Sequence, residues 1–247
     1  MGQVTVRFLG CGDAFGSGGR YQTCFLVRSG PTRFLIDCGA SSLIAMNRFG
    51  VDPAEIDLIL LTHLHVDHFG GLPLFLLDAQ LLRHRTRPLV IAGPPGMRRR
   101  VTDAMEIMFP GSSSIPWRFP LEMIELEPTQ PRRLGAVAVT PYVVEHACGA
   151  PPFALRVECD GKVIAYSGDT VWTASLLPAA QGADLFIAEA YTFEKKTKLH
   201  MDLTTLASHL GEIAAKRTIL THLGADMLDR SAGLPYECAE DGQVIEV

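Results

Sequence analysis

Short apolar runs bounded by Gly, Pro, Asp and Ser recur along the chain and divide it into alternating strand-like and helix-like segments. Val4–Leu9, Cys24–Val27 and Arg33–Ile36 predict strands separated by Gly-rich turns. Ser41–Phe49 predicts a helix with Ser41 as N-cap and Gly50 as its stop. Leu58–Leu61 reads as a strand, Phe69–Leu82 as an apolar helix, Leu89–Ala92 as a strand, and Met97–Met108 as a helix opened by Gly93-Pro94-Pro95-Gly96. Pro110–Pro120 reads as an irregular loop pinned by Trp117. A second half is expected from about Leu121. Its strands are Met123–Leu126, Ala136–Val144, Phe153–Glu158 and Val163–Tyr166, the last two joined by an Asp160-Gly161 hairpin turn. Helix Thr173–Ala180, strand Asp184–Ala188, helix Leu203–Lys216 capped by Asp202, strand Thr218–Leu220 and a closing strand Val244–Val247 follow.

The pattern is repeated once. Leu60-Leu61-Thr62-His63-Leu64 is echoed by Ile219-Leu220-Thr221-His222-Leu223, each placing a His just beyond an apolar strand. Two similar β/α halves whose strand ends face one shared site would account for the echo. No linker separates independent units, so residues 1–247 are expected to form a single domain.

Composition narrows the class. Hydrophobic residues make up 47% of the chain, yet no stretch approaches the ~20 apolar residues that span a bilayer. The start, Met1-Gly2-Gln3-Val4, runs directly into a strand pattern, so no secretory or transit segment and a cytoplasmic location are expected. Six cysteines without a C-x-x-C pair read as reduced, mostly buried thiols. Cys148, two residues after His146, reads as a small hydrophobe. A net charge of −5 argues against a generally basic nucleic-acid binder, and the basic run Arg83–Arg100 reads as a solvated face.

The chemistry concentrates in Thr62–His68, where His63, His65, Asp67 and His68 follow the strand Leu58–Leu61. In an extended segment His63 and His65 point the same way, so both can reach one point, while Asp67 and His68 can serve a second point nearby. Imidazole and carboxylate are common ligands of Zn²⁺, and packing does not explain four such groups side by side. His146, Asp169 and His222 each lie just beyond a predicted strand. Two divalent ions ~3.5–4 Å apart can hold a bridging hydroxide at neutral pH and stabilise an oxyanion as it develops.

With these motifs in order, the chain resembles the metallo-β-lactamase superfamily, whose H-x-H-x-D-H motif is followed by a His, an Asp and a His. Within it the chain is most similar to ribonuclease Z-like, phosphodiesterase-type hydrolases. Phe8–Asp13, Leu35-Ile36-Asp37-Cys38-Gly39, Thr62–Gly71, Gly93-Pro94-Pro95-Gly96, Ser167-Gly168-Asp169-Thr170 and Leu220-Thr221-His222 carry the likeness. The resemblance implies an α/β fold, a four-layer αββα sandwich. It implies two metal ions, Zn with Mn or Fe as alternatives. His63, His65 and His146 would hold one ion, Asp67, His68 and His222 the other, with Asp169 bridging. It also implies catalytic roles for Asp67, Glu189 and His200: Asp67 steering the proton of the attacking water, and the other two helping bind phosphate and protonate the leaving oxygen. Asp37 is expected to accept an N–H from a ligand imidazole. His200, close before Asp202, is expected near a positive helix end. His84 and His209 read as structural.

One departure stands out. Ribonuclease Z carries a protruding arm between the third His ligand and the bridging Asp, whereas His146 and Asp169 leave room only for a hairpin. A small-molecule phosphodiester, such as a cyclic nucleotide, therefore becomes the expected substrate, hydrolysed by the bridging hydroxide. The alternatives are another ester class (thioester, lactone, sulfate), a ribonuclease Z-like RNA endonuclease, and a non-catalytic scaffold or carrier. No membrane partner is expected, nor nucleic acid without an arm. The apolar helix Phe69–Leu82 is compatible with a homodimer or with burial in a monomer.

Overall fold

In a computed structural model, which describes residues 3–247, two mixed seven-stranded sheets face one another. Met1 and Gly2, part of the stretch from which a cytoplasmic location was expected, lie outside the described residues. The first sheet contains β1 (Val4–Gly10), β2 (Cys24–Ser29), β3 (Thr32–Ile36), β4 (Leu58–Leu60), β5 (Leu89–Gly93) and β6 (Leu121–Glu125). The second contains β7 (Arg132–Leu134), β8 (Val137–Val143), β9 (Phe153–Cys159), β10 (Lys162–Tyr166), β11 (Leu185–Glu189), β12 (Thr218–Thr221) and β13 (Glu237–Cys238). The last strand, β14 (Val244–Glu246), returns to pair antiparallel with β1.

The two sheets repeat one plan. In each, a hairpin (β2–β3, β9–β10) is followed by parallel strands (β4, β5, β6 and β11, β12, β13), with an antiparallel pair on the opposite side. Strands buried on both faces need apolar residues at every position, which is why the sequence shows continuous runs. Along β3, Phe34 and Ile36 point into the core between the sheets, while Leu35 points outward under the helices. Outside the first sheet lie α1 (Ser42–Arg48), α2 (Val66–Phe69), α3 (Leu72–Leu81) and α4 (Met97–Met108). Outside the second lie α5 (Leu176–Ala180), α6 (Leu203–Ile213) and α7 (Ala225–Arg230). The three apolar cores separate four layers, the αββα sandwich expected from sequence.

Several boundaries moved. The strand Leu121–Glu125 closes the first sheet rather than opening the second half, which begins at Arg132. The helix expected over Phe69–Leu82 is broken at Gly70-Gly71 into α2 and α3, and burial of α3 against the first sheet accounts for its apolar character. Helix α6 stops early because Ala214 takes a left-handed conformation (φ 52°). Strands β7 and β13 and helix α7 were too short for their patterns to register. Ser41 does sit at the N-cap of α1, but its hydroxyl accepts the Gln22 amide at 2.8 Å instead of capping the helix. The basic run is not simply solvated: Arg85 is buried and its guanidinium donates to the carbonyls of Ala54, Ile56, Arg87 and Pro88.

The echo is also corrected. By topology β4 corresponds to β11 and β5 to β12, so His63 and His222 follow non-equivalent strands. By strand register Leu60 corresponds to Ile187, so Glu189 takes the place of Thr62 and the position of His63 is held by Ala190. The shared five residues mark a common local need, a His carried just past a buried parallel strand, rather than duplicated positions.

What sets the site in place is a backbone contact. The turn Asp37-Cys38-Gly39 lies directly on α2: the Cys38 amide donates to His68 O (2.6 Å) and the Gly71 amide to Cys38 O (2.9 Å). A Cβ at Gly39 would stand 2.2 Å from Asp67 O, a distance no side chain tolerates. Substituting Gly39→Ala is therefore expected to cost about 2 kcal/mol or more, read as a lower urea midpoint at unchanged slope. A midpoint equal to wild type would contradict this close approach.

Candidate metal centre

The ends of β3, β4, β8, β10, β11 and β12 point to one side of the sandwich, and their following loops bring the chemistry-bearing residues together. His63, His65 and His146 form one group whose candidate ligand atoms lie within 4.8 Å of one another. Asp67, His68, Asp169 and His222 form a second. All except the partly exposed His65 are buried. Asp169 stands between the groups: its Oδ2 is 3.9 Å from His63 Nε2, 4.0 Å from His146 Nε2 and 3.3 Å from His222 Nε2, and its Oδ1 is 3.2 Å from His68 Nε2. Asp67 Oδ2 is 3.2 Å from both His68 Nε2 and His222 Nε2. The seven residues singled out from sequence thus converge.

Hydrogen bonds at the far ring nitrogens aim the near ones inward. His68 Nδ1 donates to Asp37 Oδ2 at 2.7 Å, as expected for Asp37. His146 Nδ1 donates to Leu199 O at 2.7 Å. The Thr62 hydroxyl donates to Asp37 Oδ2 (2.7 Å), which leaves its oxygen to accept from His63 Nδ1 (3.1 Å). Thr62 N–H adds a bond to Asp37 Oδ1 at 2.8 Å. One carboxylate therefore orients two imidazoles, one directly and one through Thr62. The role of Thr62 was not read from sequence, although its repetition beside His222 was a signal.

These orientations leave atoms that nothing in the protein satisfies. His63 Nε2, His68 Nε2 and Asp169 Oδ1 are buried and make no hydrogen bond. Orphaned buried polar atoms are costly, and here they face one another across the cluster. The charges point the same way. Burial, reinforced by the neighbouring His68, holds His63 well below the usual imidazole range. Burial also lowers His65 and His146, so all three present free lone pairs. Burial disfavours charge on His68 and His222 too, but carboxylates outweigh it and push both up: Asp169, Asp67 and Asp37 for the first, Asp169 and Asp67 for the second. Asp169 is held well below the carboxylate range by His222, His68 and His63 against the effect of burial. The second group calls for positive charge, and a divalent cation supplies it with ligands of the right kind.

Glu189 and His200 stand beside these groups. His200 Nδ1 lies 2.5 Å from Glu189 Oε1 and 3.8 Å from Asp169 Oδ2. Glu189, Asp169, His200 and His222 also lie close enough to be read as a ligand set. The oxygens of Glu189 are already engaged, however: Oε1 with His200, Oε2 with the amides of Thr170 (2.7 Å) and Met201 (3.4 Å). Burial and the adjacent Asp169 push Glu189 well above the usual carboxyl range. The helix end expected for His200 is filled by Asp202, whose Oδ1 accepts the Thr205 amide at 2.9 Å. Tyr191, which sequence reading passed over, faces His200 with ring centroids 4.7 Å apart. Cys148, whose thiol bonds Ala150 O, lies outside the ligand groups, as do His84 and His209.

Comparison with known proteins identifies the family. The family model described as "Anti-Pycsar protein Apyc1" matches residues 4–243. Ribonuclease Z of Mycobacterium marinum is 32% identical over 196 residues, covering 74% of this chain and 69% of that protein. The short form of human tRNase Z is 25% identical with a TM-score of 0.77, over 98% of both chains. The metallo-β-lactamase fold protein YhfI from Bacillus subtilis superposes with a TM-score of 0.79 over the whole of both chains at 22% identity, a likeness of fold. The chain belongs to the Anti-Pycsar protein Apyc1 family, is ribonuclease Z-like within the metallo-β-lactamase superfamily, and is a metal-dependent hydrolase.

Proposed function

We propose that this protein hydrolyses a small phosphodiester, such as a cyclic nucleotide, with two divalent ions held as a pair, zinc in the first instance. The observation that carries the reading is the position of Asp169 between the His63/His65/His146 group and the Asp67/His68/His222 group, each with its lone pairs aimed inward. Bound ions would polarise a phosphoryl oxygen and lower the pKa of water toward neutrality. The choice of a small substrate rests on the segment between His146 and Asp169, which is a loop, β9, the Asp160-Gly161 turn and β10, with no inserted arm. The net charge of −5 supports it. Candidate ligands drawn from both sheets support reading residues 1–247 as one catalytic unit, and the free cysteines favour the reducing cytoplasm. No helix among the described residues is long and apolar enough to cross a membrane.

The residues divide the work. Asp37 and Thr62 hold His68 and His63 in the tautomer that offers Nε2. Asp67, whose Oδ2 lies between His68 and His222, would steer the proton of the attacking water. The Glu189–His200 pair keeps a proton within reach of the opposite side of the substrate and delivers it to the leaving alkoxide.

Three outcomes test this. Substituting His63→Ala or Asp169→Ala should abolish turnover of bis(p-nitrophenyl) phosphate by the Zn²⁺- or Mn²⁺-loaded protein; retained turnover, or activity confined to thioesters, lactones or sulfates, would sink the proposal. His200→Ala should lower kcat about 10²–10⁴-fold on a phosphodiester with an alkyl leaving group and much less with p-nitrophenolate, which leaves unprotonated. Equal losses on both would remove the acid role. Finally, His68 and His222 are pushed up and carry protons without a cation, yet must offer bare nitrogens to bind one. Metal uptake should therefore release protons and strengthen as pH rises. Calorimetry in buffers of differing ionisation enthalpy checks this, and a heat independent of buffer would contradict it.

A further inference from the structure

His222 is held in a conformation that its own residue type disfavours. Its φ is 58°, in the left-handed region that a β-carbon resists. This twist turns the ring from the end of β12 toward Asp67 and Asp169. The backbone bond that holds it comes from another part of the chain: the His222 amide donates to Cys11 O at 3.0 Å, and the Thr221 hydroxyl donates to the same oxygen at 3.3 Å.

Cys11 is in turn fixed from the C-terminal segment. Asp241 Oδ1 accepts the Cys11 amide at 3.0 Å and lies 3.2 Å from the Cys11 thiol, while its Oδ2 accepts the Tyr21 amide at 2.7 Å. The loop that carries Asp241 is itself anchored. The Ala239 amide bonds Leu220 O (2.8 Å), the Gly242 amide bonds Phe8 O (2.6 Å), and Arg20 Nη1 donates to Ala239 O (2.7 Å). A single carboxylate thus ties the segment before the last strand to the loop after β1, whose carbonyl carries His222. The ring itself has no such support: His222 Nδ1 is buried without a hydrogen bond, its nearest carboxylate being Glu189 Oε1 at 3.5 Å. His63, His68 and His146, by contrast, are each fixed through Nδ1 by Thr62, Asp37 and Leu199.

We propose that Asp241 is a positioning residue for the metal centre, setting His222 through the Cys11 carbonyl and so tuning the ion held by Asp67, His68 and His222 without acting on the ion held by His63, His65 and His146. The inference rests on the two-ion reading above. It makes the last ligand, the one that reaches the cluster by a strained backbone, depend on a carboxylate that touches neither metal ligands nor substrate.

The test uses the full chain, wild type, Asp241→Asn and Asp241→Ala, stripped by chelator and titrated with Zn²⁺ in a calorimeter, with thermal melting of the metal-free proteins followed in parallel. Wild type should take up two ions. Asp241→Ala should leave one site within about twofold and weaken the other about 10–100-fold, the usual effect of removing a group that supports a ligand. Asp241→Asn keeps one acceptor oxygen, should weaken that site less, and serves if the alanine protein does not fold. Unchanged affinity at both sites in the variants overturns the inference while leaving the two-ion reading intact. So does an equal loss at both sites together with a lower melting temperature, which marks a general structural role. Fewer than two ions on wild type overturns the two-ion reading, and the inference with it.

Discussion

The arrangement turns on charges that cannot be satisfied among themselves. Three carboxylates, Asp37, Asp67 and Asp169, share a buried space with His63, His68 and His222. In that space every charge is expensive unless it is paired. The protein meets part of the demand by pairing: carboxylates push His68 and His222 up, while burial pushes His63 down. It leaves the rest open, in orphaned nitrogens and an orphaned oxygen. A site built this way is suited to cations because the fold has already met the cost of bringing the candidate ligands together.

Holding such a cluster rigid requires structure on its outer side. The closest support is backbone laid on backbone, where Gly39 and Gly71 let the Asp37 turn press against α2. Beyond it runs the hydrogen-bond chain from Asp37 through Thr62 to His63. On the second sheet the support is less direct, passing from the end of the chain through Cys11 to a His222 backbone in the left-handed region. The two sheets share one topology yet brace their ligands differently. The first supplies a carboxylate and three imidazoles around one turn and one short helix. The second supplies single residues from separate strand ends.

Much of this was legible from sequence because the signals are local. The H-x-H-x-D-H stretch announces its chemistry in six residues, and the apolar runs announce strands buried on both faces. Asp202 as a helix cap and Asp160-Gly161 as a hairpin turn were equally local and proved right. The errors came where local pattern competed with distant contact. The apolar stretch after His68 reads as one helix, but Gly70-Gly71 is broken by the approach of Gly39, which lies far away in sequence. The strand Leu121–Glu125 carries no mark of the sheet it joins, since its partner β5 is chosen by packing.

By itself, then, the sequence determined the residue types of the cluster, their order along the chain, the strands that deliver them and the absence of an arm between His146 and Asp169. These follow from side-chain chemistry and short-range periodicity, which are written in adjacent residues. Only the tertiary structure decided that His222 is the counterpart of no histidine in the first half, that Thr62 relays Asp37 to His63, and that Glu189 and His200 meet in a hydrogen bond. Each of these depends on which strand ends become neighbours and how the backbone turns there. That is set by the pairing of two sheets across a common core, a contact between residues too far apart in the chain for any local pattern to record.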